Sequence, residues 1–125
     1  MRPGSQDRLL LRVFIDERDK WQGQPLAEAI VMLALKRGMA GATCFKGILG
    51  YGAGQQLHSK KPLGITDNLA VVVEILDTEE RIQEFLPQLE AMVGDGMATI
   101  QPVKVLFYRP TKAVDSDESL KVIGS

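Results

Sequence analysis

Residues 69–76, LAVVVEIL, constrain the fold more than any other stretch. By the two-residue period of a strand, Leu69, Val71, Val73 and Ile75 share one face, and Ala70, Val72 and Leu76 flank Glu74 on the other. A strand with one wet face alternates apolar and polar residues, whereas this one is apolar on both sides. It is predicted to be a central strand, or one whose second face is also covered. The rest of the chain must supply its neighbours and its covers.

Residues 9–15, LLLRVFI, predict a second strand, with Leu9, Leu11, Val13 and Ile15 on one face and Arg12 and Phe14 on the other. The polar connection DERDKWQGQ leads to PLAEAIVMLALKRG, where Leu26, Ile30, Leu33 and Arg37 recur at helical spacing beside Ala29, Val31 and Ala34. Pro25 suits the first helical position, Lys36 and Arg37 the last turn, and Gly38 the stop. A further strand is centred on Thr43 to Leu49, with Gly47 as a bulge or a close backbone approach. After the apolar run at 69–76, Asp77 and Glu80 form a capping-box pattern. The stripe Ile82, Phe85, Leu86, Leu89, Met92, Val93 predicts a second helix, which Pro87 should kink or split. The glycines of GDG, 94–96, end it. MATIQPVKVLFY then predicts a fourth strand with Val103, Val105 and Phe107 alternating, and Pro102 confines it to an edge.

The order β-α-β-β-α-β predicts an α+β, ferredoxin-like fold: an antiparallel four-stranded sheet with two helices on one face. We assign residues 8–109 to this domain and 110–125 to a polar C-terminal tail, read as loose, whose Leu120, Val122 and Ile123 could dock on a neighbour. Apolar residues on both faces of the 69–76 strand favour burial of the far face by oligomerisation. There Glu74 is expected to pair with Arg12 between subunits.

Fifteen basic and sixteen acidic residues give a net charge of −1, so the basic excess typical of nucleic-acid binders is missing and no such partner is expected. No apolar run approaches the ~20 residues of a membrane span, and MRPGSQD lacks the apolar core of a secretory signal. No membrane insertion and a cytoplasmic location are therefore expected. The single Cys44 reads as a buried strand thiol, and Asp16 and Glu17 as turn and cap residues. Trp21 reads as cover for a core edge or a subunit seam. With no nucleophile, base and orienting group in one pattern, and no set of metal ligands, neither an enzyme nor a metal site is expected.

The chemistry-bearing segment is GILGYGAGQQLHSKK, residues 47–61. It is longer than an ordinary hairpin loop. Its glycines could cradle a phosphate through backbone N–H groups, or simply act as a hinge. His58 reads as an exposed loop histidine, and Lys60 and Lys61 as solvated or as contacts for an anionic partner. Gly94, Asp95 and Gly96 follow a helix rather than open one, so on chemistry alone they read as a stop and a turn.

The segments GMAGATCFKGILGYGAG, LAVVVEILD and VGDGMATIQPVKVLFYR, in that order, resemble the PII-like signalling proteins, most closely the domain of unknown function 190 family. The resemblance implies a homotrimer with an adenine nucleotide bound in the clefts between subunits, and a long loop that touches a target protein such as a membrane transporter or an enzyme. It implies a ligand-binding set of Thr43, Gly50, Tyr51, Gly52, Gly94, Asp95, Gly96 and Arg109. It also implies a partner-contacting loop over 50–65 carrying Gln55, His58, Lys60 and Lys61. The sequence departs from the signalling pattern at Met97, where those proteins carry a phosphate-contacting lysine, so triphosphate binding is not carried over. The alternatives are a ligand-independent trimeric interaction module and a metal-handling protein on the same scaffold.

Overall fold

The doubly apolar strand lies inside a sheet. The computed structural model describes residues 6–50 and 69–110. Its elements run β1 (Asp7–Asp16), β2 (Lys20–Trp21), β3 (Gln24–Pro25), α1 (Leu26–Lys36), β4 (Gly41–Lys46), β5 (Ala70–Asp77), α2 (Glu79–Met92) and β6 (Met97–Lys104). The main sheet has the order β4-β5-β1-β6 with every pair antiparallel, so β5 and β1 are central and β4 and β6 are the edges. This is the expected α+β, ferredoxin-like arrangement.

One face of the sheet carries Leu11, Val13 and Ile15 from β1 and Val71, Val73 and Ile75 from β5. It packs against Leu26, Ile30 and Ala34 of α1 and Ile82, Phe85 and Leu89 of α2. Leu11, Val13, Ile30, Val73, Ile75, Ile82 and Phe85 are fully buried. Each large apolar side chain so buried contributes about 1.5–3 kcal/mol. Because opposed residues of an antiparallel pair share a face, the register Val13↔Val73 and Leu11↔Ile75 sets the whole core, and a slip of one residue would turn it to water.

Several local expectations need correction. The polar connection after β1 folds into a small ribbon, β2 against β3, whose turn residues Gln22 and Gly23 have φ of 50° and 85°. Two consecutive left-handed residues are what a tight two-residue hairpin turn requires. Pro25 lies one residue earlier than expected, as the N-cap of α1, where its missing N–H is still no loss. Gly38 does take a left-handed φ, 69°, just past the end of α1. Thr78, not Asp77, caps α2: its Oγ1 accepts the Arg81 N–H at 3.3 Å.

Asp77 is only 5% exposed and serves as a tie between elements. It accepts N–H groups of Ala40 (3.0 Å) and Thr78 (2.7 Å) and the Arg81 Nε–H (3.1 Å). Arg81 also donates to the Arg37 carbonyl at 2.6 Å, which satisfies a backbone oxygen left free at the end of α1. Pro87 does not split α2, which runs unbroken from Glu79 to Met92. Pro87 is exposed, so the helix can lose one backbone bond on its wet side while Phe85 and Leu89 hold the buried side.

Strand β4 begins at Gly41, where the segment GATCFKGIL starts, but ends at Lys46, three residues before Leu49, and β6 stops at Lys104 rather than continuing through Phe107. As Pro102 implied, β6 is an edge strand. Cys44 is exposed rather than buried, because β4 is the other edge. What desolvation its sulfur feels pushes the thiol pKa up. No helix among the described residues is long and apolar enough to cross a membrane.

Candidate functional site

The topology gathers the glycine bends at one end of the sheet. Lys46, the last residue of β4, pairs with Val71, and Val71 pairs with Ile15 near the end of β1. Met97, the first residue of β6, pairs with Phe14 of the same strand. The segment leading to Gly50 and the turn Gly94-Asp95-Gly96 therefore lie at one end, on opposite edges. Three strand spacings separate those edges, about 14 Å. One copy of the chain does not bring them into contact.

The β4 side of this end is clamped by Glu17. Its Oε1 accepts the Leu69 N–H at 2.9 Å and its Oε2 meets Lys46 Nζ at 2.9 Å, while its own N–H donates to the Leu69 carbonyl at 3.1 Å. Lys46 is the last residue of β4 and Leu69 stands directly before β5, so one carboxylate holds both stems of the long segment between the two strands. The Leu69 N–H first, and Lys46 second, hold the Glu17 carboxyl below its ordinary pKa. Gly47 adds a backbone bond, its N–H to the Ala70 carbonyl at 2.8 Å. A Cβ on Gly47 would stand 3.2 Å from that same oxygen, so the glycine is a close approach, one of the two readings the sequence offered.

The β6 side is fixed by packing. A Cβ on Gly96 would fall 2.8 Å from the Phe14 carbonyl oxygen and 3.0 Å from Val93 Cγ1, a space only hydrogen can occupy. Gly94 and Gly50 have open space around them, and neither has a left-handed φ. Asp95 and both glycines of this turn are exposed. Beside the turn, an apolar groove of ≈ 390 Å³ runs between α2 and β6, floored by Leu11, Leu86 and Leu89 and flanked by Ala98 and Ile100.

The face turned away from the helices carries Phe14, Val72 and Phe45 around the Arg12–Glu74 ion pair. Arg12 Nε lies 2.9 Å from Glu74 Oε2, and Arg12 Nη1 donates to Gln101 Oε1 at 2.9 Å. Arg12 and Glu74 are directly opposed across β1 and β5, so the pair expected between subunits forms inside one chain. Thr43 is opposed to Glu74 from β4 and shares this face. Phe45, 51% exposed, is the largest uncovered apolar residue on it.

Of the ligand-binding set, Gly50, Gly94, Asp95 and Gly96 share one end of the sheet, and Thr43 lies midway along β4. Arg109 lies beyond Lys104, past the opposite end of β6, with its guanidinium 4.5 Å from the centre of the Phe107 ring. Tyr51, Gly52, Gln55, His58, Lys60 and Lys61 lie outside the described residues, as does the tail from 111 onward. Sequence reasoning saw Glu17 only as a turn or cap residue. Its role as a clamp depends on Leu69 and Lys46, which are distant in the chain, and only the register of β1, β4 and β5 brings the three together. Among the described residues no group of three or more His, Cys, Asp or Glu side chains could hold a metal ion.

The DUF190 family model, described as Uncharacterized ACR, matches residues 8–105. A UPF0166 protein of Aquifex aeolicus is 36% identical over 98 residues, 78% of this chain and 92% of the relative. A UPF0166 protein of Methanocaldococcus jannaschii is 33% identical over 92 residues, 73% of this chain and 84% of the relative. Among solved structures, CPII from Thiomonas intermedia K12, bound to ADP and bicarbonate, superposes with a TM-score of 0.51 at 17% identity, covering 79% of this chain and 88% of its own. The divalent ion tolerance protein CutA1 of Ehrlichia chaffeensis gives 0.50 at 17% identity, covering 92% and 91%.

Proposed function

The chain belongs to the DUF190 family and has the PII-like fold, and from that premise we propose that it is a non-enzymatic regulatory protein. It binds a small anionic ligand, an adenine nucleotide, in clefts between copies of itself, and contacts a target protein through the 50–65 loop. The observation that carries the reading is the placement of Gly50 and the Gly94–Gly96 turn. They share an end of the sheet but sit on opposite edges. A second copy set edge to edge, β4 of one beside β6 of the next, would continue the antiparallel alternation and bring the two bends together. Backbone N–H groups of such bends can receive phosphate oxygens. The apolar far face, with Phe14, Phe45 and Val72, supports assembly into a closed oligomer such as a trimer. That a similar fold in CPII is bound to ADP supports the choice of nucleotide.

Within this assembly the Glu17 clamp holds the stems of the loop, so ligand bound at Gly50 acts on a braced base. Arg109 joins the cleft only where a neighbouring copy presents the other end of its sheet. Calorimetric titration of the full chain with AMP, ADP and ATP, with the mass in solution measured alongside, tests the proposal. Saturable heat from at least one nucleotide, near one per chain and on an oligomer, is expected. No heat from any of the three, or a monomer at all concentrations, overturns it.

A further inference from the structure

The groove between α2 and β6 is an apolar surface that the described chain leaves uncovered. In β6, Ala98, Ile100 and Pro102 are opposed to Val13, Leu11 and Leu9, and so belong to the helix-bearing face of the sheet. Yet Ile100 is 46% exposed, and Ala98 and Pro102 are exposed too. Helix α2 is seated over β1 and β5, and its Leu86 and Leu89, with Val93 just past its end, form the opposite wall of the groove. Among the described residues lining it, Glu90 alone is charged.

We propose that the chain's own C-terminal segment, Leu120 to Ile123, fills this groove. Residues 111–119 are mostly small or polar, and the apolar residues Leu120, Val122 and Ile123 cluster after them, around a single base, Lys121. The described chain reaches Pro110, past the Lys104 end of β6. From there the ten residues to Leu120 span up to about 33 Å when extended. The return takes at most about 20 Å from Pro110 to the level of Lys104 and about 13 Å more along β6 to Ile100, so the segment just reaches Ile100 in the groove. Leu120 and Val122, two apart, enter between Ile100 and Leu86, and Lys121 meets Glu90 at the rim. The occupant covers the helix side of β6 and leaves the far face of the sheet free. The inference stands whether or not the chain binds a nucleotide.

Limited trypsin digestion of the full chain, followed by intact mass, tests it. Trypsin can cut the tail after Lys112 and after Lys121, and the Arg109–Pro110 bond resists it. In the docked state initial cleavage after Lys121 is expected to be about tenfold slower than after Lys112, because a packed segment must open before a protease can bind it. Ile100→Glu in the groove, and separately the double change Leu120→Ser with Val122→Ser in the tail, which removes the apolar side chains without placing acid beside the cleaved bond, should each abolish that difference. The tail variant alters no described residue, and a thermal melt of each variant checks that it is folded. Equal rates at the two lysines in the unaltered chain overturn the proposal. If Ile100→Glu instead changes the mass in solution and leaves the tail rates unchanged, the groove belongs to a second copy and the proposal also fails.

Discussion

The two bends at the same end of the sheet are held in place by different physics. On the β6 side Gly96 is wedged against the Phe14 carbonyl, and its position is set by contact. On the β4 side Gly47 has slightly more room, and the position of the stems is set by hydrogen bonds and charge through Glu17. A wall fixed by packing has one position and fails when its volume changes. A wall fixed by a carboxylate, a lysine and two backbone groups can be loosened by pH or by a competing anion. One end of the sheet therefore has a rigid edge and an adjustable one.

The contrast can be broken most sharply at Gly96. Gly96→Ala forces backbone to shift against Phe14, and a loss of about 2 kcal/mol is expected, as for other overpacked sites. In a domain of this size that lowers Tm by roughly 10 °C in a thermal melt. Gly47→Ala meets the Ala70 oxygen at a longer distance, and about 1 kcal/mol is expected, with faster exchange of the position-47 amide that bonds the Ala70 carbonyl.

Glu17→Gln should have a smaller effect, and one that depends on pH. The folded-state pKa of Glu17 is depressed. Its contribution is therefore complete above the ordinary carboxylate range and is lost as pH falls through the lowered value. The Tm difference between the native chain and the variant should be present at neutral pH and close under acid. A difference that persists unchanged at low pH would mean that the clamp is not electrostatic. Smallest of all, Gly94→Ala and Gly50→Ala should change stability by less than about 0.5 kcal/mol, since neither position is crowded or left-handed. If either is as costly as Gly96→Ala, the division between a packed wall and a polar wall is wrong.

Much of the fold was legible because periodicity reports burial directly. The doubly apolar run at 69–76 identified a central strand, and Pro102 identified an edge. Misreadings came where two neighbouring residues could do the same job. Asp77 and Thr78 can both cap a helix, and the decision fell to Ala40 and Arg81, which engage the carboxylate of Asp77 from elsewhere in the fold. Pro87 was misread because its position on the wet side of α2 depends on which side faces the sheet. Cys44 sits on an alternating strand, but the strand lies at the rim, and sequence alone does not say which strand is outermost. The candidate site was legible as two glycine clusters. Their shared end and their separation were not, because both follow from strand order. The Arg12–Glu74 pair was found by residue type and misassigned between copies for the same reason.

Pro102 has one more consequence. A proline is accommodated in a rim strand with its nitrogen turned outward, so the free margin of β6 lacks one donor partway along. A foreign strand laid there would find a missing rung. Runaway stacking of sheet upon sheet into a fibre is thereby discouraged, while brief contacts near Met97, on the unbroken stretch, remain open to a neighbour.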